Sequence, residues 1–377
     1  MEIFLVGGAV RDKLLNLPVT EHDWVVVGAT PDEMLAQGYT QVGKDFPVFL
    51  HPDTKDEYAL ARTERKSGHG YTGFDVCADP DVSLEDDLQR RDLTINAMAE
   101  AADGTLIDPC GGEEDLANGL LRHVSPAFVE DPVRILRVAR FAARFAHHGF
   151  HVAHGTNTLM RKMVEDGEVD YLVPERVWAE LVKALATRTP VRFFDVLNGC
   201  HALPVLFPQL AGRYADGDTH GHDETRLPVL SAVTGLSEST EVRFAALARD
   251  MSGSGEWLDA FCTRHRVPNS YRQLARLACQ HCEQVHDIET LSAKDILAVL
   301  VRLDAFRRGE RVDDFLLVCE ADARSRNPEL SAYAPADRLR TLLAAARDVN
   351  VDTRGKNGQE IGVAIRQARI EAINKSV

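Results

Sequence analysis

The chain offers three short stretches whose residue types and spacing can bind phosphates or hard cations. The first is Gly7-Gly8-Ala9-Val10-Arg11-Asp12, directly after the apolar run Ile3 to Val6. Glycines let a backbone approach a ligand closely, a helix N-terminus favours anions, and an arginine one turn in presents a rigid donor fork. The second is Glu21-His22-Asp23, ahead of the apolar run Trp24 to Val27. On extended chain, residues two apart point to the same side, so Glu21 and Asp23 share a face. Paired carboxylates suit Mg2+, which takes one or two of them together with substrate phosphates; two such ions can activate a hydroxyl and steady a leaving oxygen. Taken singly, the first stretch is equally a tight turn with a surface arginine, and the second a solvated acid pair. Their separation by only thirteen residues, Gly8 to Glu21, links them. The third stretch is Glu130-Asp131-Pro132-Val133-Arg134, followed by Arg137, Arg140 and Arg144. At 100° per residue the four arginines fall within about a third of a helix circumference. Asp131 and Arg134, three apart, are expected side by side on one helix face.

The elements that must hold these residues are short and mixed over the first 110 positions and helical afterwards. Thr30-Pro31-Asp32-Glu33 combines an N-cap, a first-turn proline and a capping-box glutamate, so a helix starts there and Gly38 stops it. Phe46 to Leu50 and Tyr58 to Ala61 flank Pro52-Asp53-Thr54-Lys55 as a hairpin. Lys66 to Asp81, with Gly68, Gly70 and Gly73, reads as a mobile loop. Ser83 and Asp86 form a second capping box, opening a helix predicted through Leu84, Leu88 and Ile95, and Leu106-Ile107 is one more strand. After Asp131-Pro132 only helical spacing recurs, at 133–145, 177–185, 191–197, 242–248, 271–279 and 294–303. Ala211 to Glu224 is the linker candidate; His220, His222 and Asp223 within it read as linker rather than metal ligands. Cys279 and Cys282, with His281 and His286, read as helix and core rather than a zinc site.

The chain has 377 residues, 45% hydrophobic and 27% charged, ordinary for a globular protein of two or three modules. Neither a signal peptide nor a membrane span is expected, and seven scattered cysteines fit the reduced thiols of a cytoplasmic protein. A net charge of −15 speaks against a general nucleic-acid binder, because neutralisation of phosphates by Lys and Arg supplies most of such affinity. Arginines nevertheless concentrate in Arg62 to Lys66, Arg90-Arg91 and Arg134 to Arg144, and local patches decide contact.

Leu5 to Asp12 with the acid pair Glu21 and Asp23 resembles the opening of the class II CCA-adding enzymes and bacterial poly(A) polymerases of the polymerase β nucleotidyltransferase superfamily. The resemblance continues in order through Arg90-Arg91-Asp92-Leu93-Thr94-Ile95-Asn96-Ala97, similar to the ribose-sensing motif, and through Asp108-Pro109 before Asp115-Leu116. Glu130-Asp131-Pro132-Val133-Arg134 resembles the nucleotide-selecting motif, and Pro174-Glu175-Arg176-Val177-Trp178 the last of the series, so that roughly residues 1–210 are covered.

The resemblance implies an α+β nucleotidyltransferase head, a mixed β-sheet with helices, followed by an all-α neck, body and tail. Its boundaries are expected at 1–138 for the head, 139–211 for the neck and 212–377 for the rest. It implies addition of CCA to the 3′ end of tRNA from CTP and ATP without a nucleic-acid template, with Mg2+ held by Glu21 and Asp23 as the catalytic pair. Nucleotide-binding roles fall on Gly8, Arg11, Arg91, Asp92, Asp131, Arg134, Arg137 and Arg140. Asp131 and Arg134 would read the base edge, Arg91-Asp92 the sugar, and Arg11, Arg91, Arg137 and Arg140 would clamp the triphosphate. The family usually carries aspartate at both metal positions, whereas this chain has Glu21 at the first, a longer reach for the same hard oxygen. Glu57 is the candidate third ligand. Alternatives within the class are a CC-only or A-only enzyme or a poly(A) polymerase; outside it stand an HD-type phosphohydrolase and a catalytically silent RNA-binding protein. At the place of the hydrolase's His-Asp pair the chain reads Arg249-Asp250, and a guanidinium cannot ligate a metal, so a retained helical scaffold with a dead hydrolase site is expected.

Overall fold

In the computed structural model, residues 1–42, 48–66, 74–215, 223–251, 255–355 and 357–376 are described. They divide into two compact units, Met1–Glu180 with Arg192–Leu206, and Leu181–Val191 with Phe207–Val377. Among the described residues no helix is long and apolar enough to cross a membrane.

The first unit is built on a seven-stranded sheet, in the order Thr40–Val42, Val48–Leu50, Glu57–Leu60, Asp23–Val27, Glu2–Val6, Ala99–Glu100, Leu106–Ile107. The pair Asp23–Val27 and Glu57–Leu60 is parallel and the other pairs are antiparallel. The strand Asp23–Val27 shows why a continuous apolar run was needed. Val25 packs with Val6, Leu88 and Ala99 on one face, and Val26 with Met34, Phe49 and Leu60 on the other. A strand covered on both faces has no polar side to alternate with.

Both capping boxes form, Thr30 with Glu33 and Ser83 with Asp86, and the hairpin around residues 52–55 is present. Three expectations change. The helix from Ser83 ends at Gln89, because Leu93 is extended and bridges to His123; Thr94–Asn96 is a separate 3-10 turn. Within the expected loop Lys66 to Asp81, Phe74–Cys77 pairs antiparallel with Thr63–Lys66; residues 67–73 lie outside the described residues. The stretch after residue 132 is not purely helical, since His151–Val152 pairs in parallel with Leu120–Leu121. The helices expected from periodicity are all present, among them Val133–Phe145, Pro174–Leu185 and Val191–Gly199 in this region. Of the linker candidate, residues 216–222, which include His220 and His222, lie outside the described residues, and Pro208–Tyr214 forms a 3-10 turn.

The short helix Gly112–Ala117 supports the 3-10 turn Thr94–Asn96 from beneath. Asp108 accepts the N–H groups of Gly112 and Glu113, and Asp115 accepts from Thr94 Oγ1 at 2.7 Å. The approach is so close that a Cβ on Gly112 would lie 2.3 Å from the Thr94 carbonyl oxygen. Backbone on both sides cannot yield cheaply, so Gly112→Ala is expected to destabilise this unit by roughly 3 kcal/mol, measurable by chemical denaturation.

The second unit is helical. Helix Thr240–Asp250 is buried nearly all round and packs against Pro228–Thr234, Asn269–His286 and Gly309–Arg326. Helices Ala293–Arg302, Ala334–Arg347 and Gly358–Ser376 complete its far end.

Candidate active site

The sheet brings the first two sequence stretches together directly. Val6, the last residue before the glycine turn, pairs with Asp23, and Asp23 pairs in turn with Glu57 on the parallel neighbour. Side chains at paired positions of adjacent strands share a face, which places Asp23 and Glu57 side by side. Glu21 lies just outside the strand, two residues before Asp23. All three carboxylates are exposed, and none makes an ion pair or hydrogen bond among the described residues. Partial desolvation raises the Asp23 carboxyl above the usual carboxylate range, with Arg91 opposing and Glu21 adding to the rise. Unspent hard oxygens with mutual repulsion are what a divalent cation relieves, so this set fits Mg2+ chemically.

The glycine turn differs in detail from expectation. Gly7 carries the left-handed backbone, at φ 70°, and a Cβ there would come within 2.9 Å of Arg91 Nη1. Gly8 already opens the helix Gly8–Leu14, and a Cβ on it would meet Arg11 Nη2 at 3.4 Å. The position that demands glycine is therefore Gly7, and what approaches it is Arg91. That arginine is anchored by Asp87, whose Oδ2 accepts from Arg91 Nη2 at 3.1 Å while Oδ1 accepts from Arg90. Arg91 thus stands over the turn and within electrostatic reach of Asp23.

Of the four arginines expected to clamp a triphosphate, Arg11 and Arg137 belong to one internal network, Arg140 pairs elsewhere, and Arg91 stands apart on Asp87. Arg144 donates to Asp12, Asp12 accepts from Arg11, and Arg11 donates to the Asn96 amide oxygen. Asn96 in turn donates to Asp92 Oδ1 at 3.0 Å, and Arg137 Nε donates to Asp92 Oδ2 at 2.6 Å. Arg11 is only 2% exposed, stacked against Phe141 and Phe145, and burial lowers its pKa. Burial would raise the Asp92 carboxyl, but Arg137, the Asn96 amide and the Leu93 N–H outweigh it and hold it well below the usual carboxylate range. Arg140 pairs with Glu180. The helical arginine stripe is real, yet each member faces a partner on another element.

Asp131 and Arg134 are not side by side on a helix. Asp131 is extended, with φ −120° and ψ 106°, and Pro132 precedes the helix that starts at Val133. Arg176 grips both Asp131 oxygens, at 3.1 and 2.8 Å, while Oδ1 also accepts the Val133 N–H. Arg134 donates to the carbonyls of Ala127 and Arg90, tying the Glu130 to Arg134 stretch to the residue beside Arg91. Sequence reasoning assigned no role to Asp12, Asp87, Asn96, Arg176 or Glu180. Four of them stood inside motifs or next to named residues, but their partners lie up to 132 positions away. Asp87 pairs three and four residues on and was open to helical spacing, whereas the other four each have a partner 40 or more positions away, which spacing along one helix does not reveal.

A family comparison decides what this arrangement belongs to. The poly A polymerase head domain family matches residues 3–122, and the family described as the probable RNA and SrmB-binding site of polymerase A matches residues 149–213. The whole chain is 52% identical to the multifunctional CCA protein of Nitrosococcus oceani, covering 99% of it. It is 50% identical to the multifunctional CCA protein of Thioalkalivibrio sulfidiphilus, covering 98% of that chain. The chain belongs to this family. In fold it is similar to the Bacillus stearothermophilus CCA-adding enzyme in complex with CTP, with a TM-score of 0.73 at 22% identity over 100% of this chain and 89% of the other. A CCA-adding enzyme in complex with ATP matches with a TM-score of 0.69 at 21% identity over 99% and 86%. The mixed-sheet head followed by helices is the architecture expected from the sequence.

The second unit holds a separate polar cluster at Arg249. Its Nη2 donates to Glu283 Oε1 at 2.7 Å and to Asp322 Oδ2 at 3.1 Å. His286 Nε2 lies 2.7 Å from the same Asp322 oxygen, and Arg326 pairs with both acids. Glu283, His286 and Asp322 are the one trio of metal-ligand residue types drawn within 4.8 Å among the described residues. Two guanidinium groups already satisfy its carboxylates. Asp250 is turned away to accept the N–H groups of Val229 and Leu230. Cys282 packs beside Cys319 in the core, as expected of a buried helix cysteine.

Proposed function

We propose that the protein adds CCA to the 3′ end of tRNA, using CTP and ATP, with Glu21 and Asp23 as the metal-binding pair. Family membership along the full chain supports the reaction, and the single observation that carries the site is the unspent carboxylate set at the end of Asp23–Val27. We assign residues 1–138 to the catalytic head, 139–211 to the nucleotide and tRNA-end region, and 212–377 to the remaining helical body. Mg2+, when bound at Glu21 and Asp23 with Glu57 beside them, supplies charge neutralisation for the attack of the 3′ hydroxyl on the α-phosphate and the departure of pyrophosphate.

The chain's own residues do the positioning. Gly7 and Gly8 leave backbone room beside the acids, and Arg91, fixed by Asp87, offers its guanidinium to the phosphates. Asp92 is kept ionised and oriented by Arg137 and Asn96, ready to accept from a sugar hydroxyl. Arg11 and Arg140, being buried and paired, act by holding the Asn96 turn and the helix Val133–Phe145 in register. Asp131 and Arg134 supply acceptor and donor for a base edge once Arg176 and the Ala127 and Arg90 carbonyls yield part of their hold. Arg249, occupying the carboxylates of its cluster, leaves the second unit as scaffold rather than hydrolase.

The deciding measurement is incorporation of labelled CTP and ATP, separately and together, into tRNA lacking its 3′ CCA. Two C and one A per tRNA is the expected product. C alone or A alone would place the protein among the split-activity enzymes, and no incorporation with tRNA still bound would overturn the reaction.

A further inference from the structure

Two clefts in the second unit differ in the charges that line them. One, of about 400 Å³, mixes Arg307, Arg308 and Arg311 with Glu241, Glu310 and Asp314, so its charges are balanced. The other, of about 420 Å³ between helices Ala293–Arg302 and Gly358–Ser376, is lined by Lys294, Arg302, Arg366 and Arg369 and by no acid. None of these four makes an ion pair with an acid among the described residues. Arg369 is held against Phe306, its guanidinium carbon 3.5 Å from the ring centre, with Nε buried and without a hydrogen-bond partner. A buried donor lacking an acceptor is rare in a folded protein, and a ligand oxygen would supply one.

Charge, length and floor bound the chemistry of that ligand. Four unanswered cations call for several negative charges, more than a single carboxylate brings, and guanidinium forks suit phosphate oxygens in pairs. Lys294 and Arg302 are eight residues apart on one helix, or about 12 Å, a span for condensed phosphates rather than one phosphate. The floor is Leu297, Ala298, Val301 and Ile365, and Val301 is left 57% exposed. Such a floor rewards a flat apolar body, which inorganic phosphates lack, and it has no side-chain donor or acceptor to read the edge of a base. The volume is that of a site for one small molecule. We propose that this cleft is a second nucleotide site, taking a nucleoside triphosphate by its phosphates and leaving the base unread. It lies in a different compact unit from Glu21 and Asp23, and its affinity needs neither a metal nor tRNA.

The test compares the full-length wild type with the double substitution Arg302→Ala and Arg366→Ala, both at exposed positions, by equilibrium dialysis. The probes are labelled CTP and labelled GTP, which the proposed reaction does not use, the GTP arm being run with a metal chelator. The expected result is GTP binding to the wild type that UTP and ATP compete away equally well. In the variant GTP should bind at least about tenfold more weakly, and CTP should fall from two per chain to one, with an unchanged melting temperature. Pyrophosphate should compete clearly worse than GTP, because it forgoes the floor. A wild type that binds one CTP per chain, and GTP no better than the variant does, would overturn the site. Pyrophosphate competing as well as GTP would overturn the nucleoside in favour of a bare polyphosphate. A variant with weaker tRNA binding and unchanged GTP binding would overturn it in favour of RNA. The readout is binding alone, so failure of the cleft and failure of the CCA reaction are seen separately.

Discussion

Asp23→Ala is expected to lower nucleotide incorporation by at least about a thousandfold while tRNA affinity and thermal stability stay at wild-type levels. The size follows from the metal-binding role proposed for the residue. Neutralising the charge that develops on a transferring phosphoryl group contributes several kcal/mol, and each 1.36 kcal/mol is a factor of ten in rate. The silence in stability follows from its surroundings, because Asp23 is exposed and its carboxylate forms no ion pair or hydrogen bond among the described residues. Quantifying CTP addition in single-turnover mode, alongside a tRNA binding curve and a melting curve, separates the two. A variant that retained more than a tenth of the activity would remove Asp23 from the proposed metal pair. One that lost its melting transition would show a structural role that the geometry does not contain.

Arg137→Ala is expected to do the reverse, costing stability as well as activity. Its Nε donates to Asp92, which is 6% exposed, and removal would strand a buried carboxylate. Breaking a buried pair from one side typically costs about 3–5 kcal/mol. Arg137 is itself partly exposed, which favours the lower end. The pH dependence follows from the sign of the shift. The Asp92 pKa is depressed in the folded state, so its contribution is fully present above the ordinary carboxylate pKa and is lost as pH falls below it. Acid unfolding of the wild type should therefore steepen below about pH 4. In Arg137→Ala that limb should flatten, because most of the depression is gone. Urea denaturation of both proteins at pH 3, 5 and 7 would measure it, and parallel curves would refute the coupling.

Much of the candidate site was legible because it is local. The glycine turn, the acid pair and the Arg91-Asp92 segment each occupy a few consecutive residues, and both capping boxes formed where their side chains stood. Chemistry carried by neighbouring residues on one strand or turn needs no tertiary information. The helices of the second half were legible for the same reason, since a 3.6-residue period records which face is buried.

What the tertiary structure decided was the destination of each charge. Glu57 comes beside Asp23 only through the parallel register of two strands, and Asp131 leaves the helix only because Pro132 starts it late and Arg176 holds it back. The arginines of Val133–Phe145 looked like an open cationic face, yet Asp92, Asp12 and Glu180 reach them from 40 or more positions away. Ion pairing depends on distance in space, and a helical period states only which side a residue faces.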